Sequence, residues 1–141
     1  MSCFWDSILS SLTLEDINSK LLSNYSLFSK PDNRSTILII KEAISVVPQN
    51  TLRLSVLWNG EMLSFKVVEE LYTWIKEYDE AKIGGGHDCS SCDPFLFVIS
   101  FIFDVNIIHT GSYSTTEYKN IKGGATRTLR FYSDNGHFWA A

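Results

Sequence analysis

PFLFVISFIFDVNII, residues 94–108, is the most apolar window of this chain, and the way it divides decides the fold. Asp104 interrupts it well short of the ~20 apolar residues a membrane span requires, so the stretch belongs to a core. Residues 94–104 are long enough for a buried helix, yet their wealth of Phe and Ile leaves helix and strand undecided by periodicity. VNIIHT, residues 105–110, reads as a strand.

Upstream, KVVEELYTWIKEYDEA (66–81) sets Val67, Val68, Leu71, Trp74 and Ile75 at helical spacing and stops before the Gly-rich loop KIGGGHDCSSCD (82–93). Before it, TLRLSVLWNGEMLSF (51–65) alternates at Leu52, Leu54 and Val56 and carries Asn59-Gly60 between two apolar runs, which predicts a hairpin. The amino-terminal third is helical in pattern. Phe4, Trp5, Ile8, Leu9 and Leu12 make a first helix with Ser2 as its N-cap. Leu14, Ile17, Leu21 and Leu22 make a second behind the capping-box pair Thr13 and Asp16. STILIIKEAISVV (35–47) is a third. Downstream, SYSTTEYKNIKGGA (112–125) reads as a polar loop, and TRTLRFYS with HFWAA as a hairpin around Asp134-Asn135-Gly136. Helices first and strands last predict an α/β (α+β) domain spanning residues 1–141, with a small central sheet flanked by helices. Parallel and antiparallel strand orders both stay open.

The composition narrows the function. A net charge of -4 without any run of basic residues argues against nucleic acid. Three cysteines, an odd number, and the absence of a signal-peptide pattern fit a reducing, cytoplasmic setting better than a disulfide framework. A monomer that needs no cofactor and no membrane is expected.

Cys3 falls at a helix start, where unsatisfied N–H groups and the macrodipole favour a thiolate, although Asp6 works against it. A thiol nucleophile also needs a histidine brought near by the fold, and His87, His109 and His137 are available. His137 opens the last strand after a tight turn, where a ring is rigidly aimed. His109 ends VNIIHT among core residues and is expected to be structural. The same residues also have ordinary readings: a buried Cys as a small hydrophobe, Asp134 and Asn135 as turn formers, the four Trp as core. His87, Cys89 and Cys92 have the His-x-Cys-x-x-Cys spacing of zinc ligands, but no second ligand pair follows at a typical distance.

SCFWDSILSSL resembles the nucleophile segment of ovarian-tumour (OTU) cysteine proteases, whose fold is related to that of papain. YTWIKEYDEAKIGGGHDCSSCDPFLFVISFIFDVNIIHT (72–110) is similar to that family's central stretch, and TLRFYSDNGHFWAA to its end. The resemblance implies Cys3 as nucleophile, His137 as general base and the backbone amides of Ser2 and Cys3 as oxyanion donors. It implies a cleft lined by Trp5, Gly84, Gly85, Gly86 and Trp139. The substrate it implies is the bond after the C-terminal glycine of ubiquitin or a ubiquitin-like modifier. OTU domains this compact look like viral ones, which implies work in the host cytoplasm against innate signalling. Two departures stand out. Met1 and Ser2 occupy the place of the family's Asp-Gly-Asn, and Trp139 the place of its orienting Asp or Asn, leaving Asp134 or Asn135 as substitutes. They keep open a catalytically inactive OTU-like binding module, and the His87 loop a small zinc-binding interaction protein.

Overall fold

The deciding stretch divides at Asp104. In the computed structural model, α6 (Asp93–Ile102) is a helix and β2 (Asn106–Thr110) a strand, with Asp104 at φ +52° in the reversal between them. The structure describes residues 3–21, 26–82, 93–125 and 127–141, residues 3 and 82 as backbone only. Phe and Ile fit a helix here because every side of it is covered: Phe95, Leu96, Phe97, Val98, Ile99 and Ile102 are all buried.

Before α6 come α1 (Cys3–Ser11), α2 (Leu14–Asn18), α3 (Asn33–Ser45), α4 (Gln49–Ser55), β1 (Val56–Trp58) and α5 (Phe65–Glu77). After it come β2, β3 (Thr115–Asn120), β4 (Thr128–Asp134) and β5 (His137–Ala140). The sheet order is β1-β3-β2-β4-β5, with β2 and β4 parallel and the other pairs antiparallel. This is a mixed α/β domain in which α6 lies between the sheet and helices α3, α4 and α5.

Local signals explain most elements. Thr13 and Asp16 exchange the two hydrogen bonds of a capping box at α2, at 2.8 and 3.0 Å. Asn59 and Gly60 (φ +51° and +80°), and Asn135 and Gly136 (φ +49° and +78°), form left-handed turns, but only the second closes a hairpin, that of β4 with β5. After Asn59-Gly60 a single bridge joins Trp58 to Glu61 and β1 pairs with β3, which corrects the hairpin expected over 51–65.

Two further expectations are corrected. Residues 49–55 form a helix, not a strand: Leu52 and Ser55 face the core three residues apart while Leu54 turns outward, so the Leu52-Leu54-Val56 spacing was not a two-residue period. Residues 115–120 form the strand between β1 and β2, not a loop. Their polarity belongs to one face, Thr115, Glu117 and Lys119 being exposed while Tyr118 and Asn120 are buried.

Asn120 and Asn106 tie the end of α6, the start of β2 and the β3–β4 connection together. The Asn120 side-chain amide donates to the Ser100 carbonyl at 3.0 Å, and its oxygen accepts from the backbone N–H groups of Lys122 and Gly123 at 3.1 and 2.9 Å. The Asn106 side chain accepts from the Asn120 N–H at 2.9 Å. A Cβ on Gly123 would stand 2.6 Å from Asp104 Oδ1, so the connection closes this tightly because residue 123 is glycine. Asn120→Ala removes three hydrogen bonds, one of them to the buried Ser100 carbonyl, and is expected to cost about 1–2 kcal/mol, read as a lower urea midpoint with an unchanged m-value.

Candidate active site

The two ends of the chain meet along α1 and β5. Phe4 and Phe138 are in ring contact, centroids 4.8 Å apart, and Ser7 Oγ donates to the Phe138 carbonyl at 3.2 Å across 131 residues of sequence. One turn further on, Ser10 and Ser11 line a shallow cleft with Ala140 and Ala141. Helix and strand therefore advance together. Four helical residues rise about 6 Å and two strand residues about 6.6 Å, so Ser7 beside Phe138 and Ser11 beside Ala140 share one register. Four residues back from Ser7 stands Cys3, and two back from Phe138 stands Gly136, followed by His137. The register sets residue 3 level with residues 136–137, with residues 3 and 7 on one helix flank.

Opposing charges act at this end, the helix N-terminus favouring an anion and Asp6 opposing one. Asp6, whose carboxylate the sequence sets against a thiolate, is turned to α3, where it accepts from Asn33 Nδ2 at 2.9 Å. At the other end of the helix Lys30 Nζ donates to the Leu9 carbonyl at 2.7 Å. Asp6 nevertheless keeps its carboxylate in the first turn of α1 and opposes a second anion there, while the negative end of the helix has its cation.

His137 is exposed, and strand alternation sets it with Trp139 on the sheet face opposite Phe138, which is the face away from α1. Asp134 is its cross-strand partner, with Oδ1 accepting from Ser112 Oγ at 2.6 Å. Asn135 supplies the left-handed turn. Trp139 is 45% exposed and stacks on Tyr132, forming an aromatic wall beside His137. Trp5, expected in the cleft, is 2% exposed and packs edge-on against Phe4 and Phe95, so it is a core residue. Ser2, Gly84, Gly85, Gly86, His87, Cys89 and Cys92 lie outside the described residues, and so does the Cys3 side chain. Among the described residues no group of three or more His, Cys, Asp or Glu could hold a metal ion.

The sequence reading passed over the surroundings of His109. Its Nε2 lies 2.7 Å from Ser133 Oγ and its Nδ1 4.0 Å from Asp93 Oδ1, and its ring packs on Phe138 at 5.2 Å. The signal was Ile107, which fixes the inward face of β2 and so that of His109. The partners became visible only with the parallel β2–β4 register.

No protein-family model, curated protein or solved structure matches the chain. No helix among the described residues is long and apolar enough to cross a membrane.

Burial holds the His109 imidazole below its ordinary pKa of 6.5, against the opposing pull of Asp93. The unfolded chain therefore takes up this proton first as pH falls, and stability present above pH 6.5 is lost on acidification through the folded-state value. The urea midpoint is expected to drop between pH 7.5 and 5.5, and the drop to be smaller in His109→Gln.

Proposed function

We propose that this chain is an OTU-like cysteine protease that removes ubiquitin or a ubiquitin-like modifier, with Cys3 as nucleophile and His137 as base. The observation that carries the reading is the shared register of α1 and β5, which brings the backbone of residue 3 level with residues 136–137. Because strand alternation directs the His137 ring away from α1, the reading requires that ring to reach round the edge strand β5. The start of α1 at residue 3 supports it further, because a thiolate gains from the unsatisfied N–H groups of a helix N-terminus, although Asp6 in the first turn works against it.

In this reading His137 takes the thiol proton and the sulfur attacks the carbonyl after the modifier's terminal glycine. The backbone amides of Ser2 and Cys3 receive the oxyanion. His137 returns the proton to the leaving lysine amine, leaving a thioester. Water then attacks, His137 again holding the proton, and the free carboxylate departs. Trp139 beside His137 is a wall for the modifier's extended tail.

A binding module without catalysis is the second reading, favoured by the exposed His137 and by Trp139 in the place of an orienting carboxylate. Ubiquitin carrying a C-terminal propargylamide separates the two. The expected outcome is a covalent adduct by mass spectrometry, absent in Cys3→Ala and at least ~100-fold slower in His137→Ala. Folded protein that forms no adduct overturns the protease reading, and retained affinity for unmodified ubiquitin would then establish the binding module.

A further inference from the structure

The polar chain around His109 begins one strand in from β5, at Ser133 on β4, runs on through β2 and β3, and takes no part in the chemistry above. Four elements contribute to it: Asp93 opens α6, His109 is on β2, Tyr118 on β3 and Ser133 on β4. Tyr118 donates its hydroxyl to Asp93 Oδ1 at 2.8 Å. The same oxygen lies 4.0 Å from His109 Nδ1, and His109 Nε2 lies 2.7 Å from Ser133 Oγ.

The proton positions follow from this arrangement. A carboxylate beside Nδ1 selects the tautomer that carries its proton there. Nε2 is then a lone-pair acceptor, so in the 2.7 Å contact the Ser133 hydroxyl is the donor. A serine donating to a neutral imidazole whose other nitrogen faces a carboxylate has the connectivity of an activated hydroxyl. The 4.0 Å gap is of the kind that closes when the ring gains a proton.

Position in the fold points the same way. His109 and Ser133 stand near the carboxyl ends of β2 and β4, the parallel pair of the sheet, where open α/β sheets bind ligands. Ser133 is half-buried rather than sealed. Gly111 leaves one side of its hydroxyl uncovered, since a Cβ there would touch Ser133 Oγ at 3.5 Å.

We propose that Ser133 is a second nucleophile, independent of Cys3, that His109 and Asp93 activate toward small carboxylic esters. Ser133 Oγ attacks the ester carbonyl as its proton passes to His109 Nε2. The C–O bond to the alcohol breaks and the alkoxide takes that proton. Water then releases the acid by the same route, regenerating the hydroxyl.

A fluorophosphonate probe tests this on the full chain carrying Cys3→Ala, so that the thiol takes no share. In the labelling step the Ser133 O–P bond forms, the P–F bond breaks, fluoride leaves and His109 takes the proton. The expected result is one adduct, mapped by peptide mass spectrometry to Ser133. Its rate should fall about 100-fold in His109→Gln and fall in Asp93→Asn. Gly111→Val, which leaves the chain of hydrogen bonds in place, should also slow it by covering the hydroxyl. Among the described residues, Asp93 on α6 and Tyr118 on β3 are the titratable groups at the ring, which also meets Ser133 on β4 and Phe138 on β5. The wild-type rate should rise with pH as the imidazolium loses its proton and level off by neutral pH. Folded protein left unlabelled at Ser133, or labelled equally fast in His109→Gln, overturns the proposal. Should His109→Gln fail to fold, a rate that does not change between pH 5 and 8 overturns it as well.

Discussion

A helix that is apolar on every side has to be covered on every side, and α6 imposes that condition on the whole chain. Its buried residues require a sheet beneath and helices above, and the chain supplies helices before it and most of the sheet after it. Trp5 and Trp74 both pack edge-on against Phe95, so α1 and α5 are anchored to the same turn of α6. A large-to-small change at this center would loosen elements far apart in sequence, because such deletions cost about 3–5 kcal/mol for an aromatic.

Covering α6 also brings the chain ends together. Once α1 lies over the sheet, the last strand can dock beside β4 and reach it, and the Phe4–Phe138 contact with the Ser7 hydrogen bond fixes the register. The corner that holds residues 3 and 137 is thus assembled from the most distant pairing in the fold, and the loop entropy of that pairing is offset by the core formed around α6.

Local patterns in the sequence sufficed for the helices α1, α3 and α5, for β2 and for the closing hairpin, because a helical period, a cap or an Asn-Gly turn is written in neighbouring residues. They failed at α4, where Leu52, Leu54 and Val56 mimic a strand that begins only at Val56, and at β3, whose outward face is polar throughout. Of the site, the sequence offered Cys3 and His137 as separate residues, and the register that sets them level exists only in three dimensions. The His109 chain was hidden for a related reason. Asp93 and Tyr118 are a helix start and a core residue by pattern, and a parallel pairing between β2 and β4 is not marked in either strand.

The two histidines sit in opposite surroundings, His109 half-buried and His137 exposed. A helix N-terminus contributes about 0.3–1 kcal/mol to a neighbouring anion at an exposed position. A free thiol with its ordinary pKa near 8.5 needs about 2 kcal/mol to ionise in large part at pH 7. The dipole of α1, even with Asp6 turned aside, therefore falls short, and thiolate chemistry at residue 3 has to draw the rest from an imidazolium. Burial favours the neutral form of His109, which suits it to accept a proton from a hydroxyl and makes it a poor source of standing positive charge. In the proposed reading that imidazolium would be His137, which opens the edge strand β5 and reaches the start of α1 only by turning round that edge.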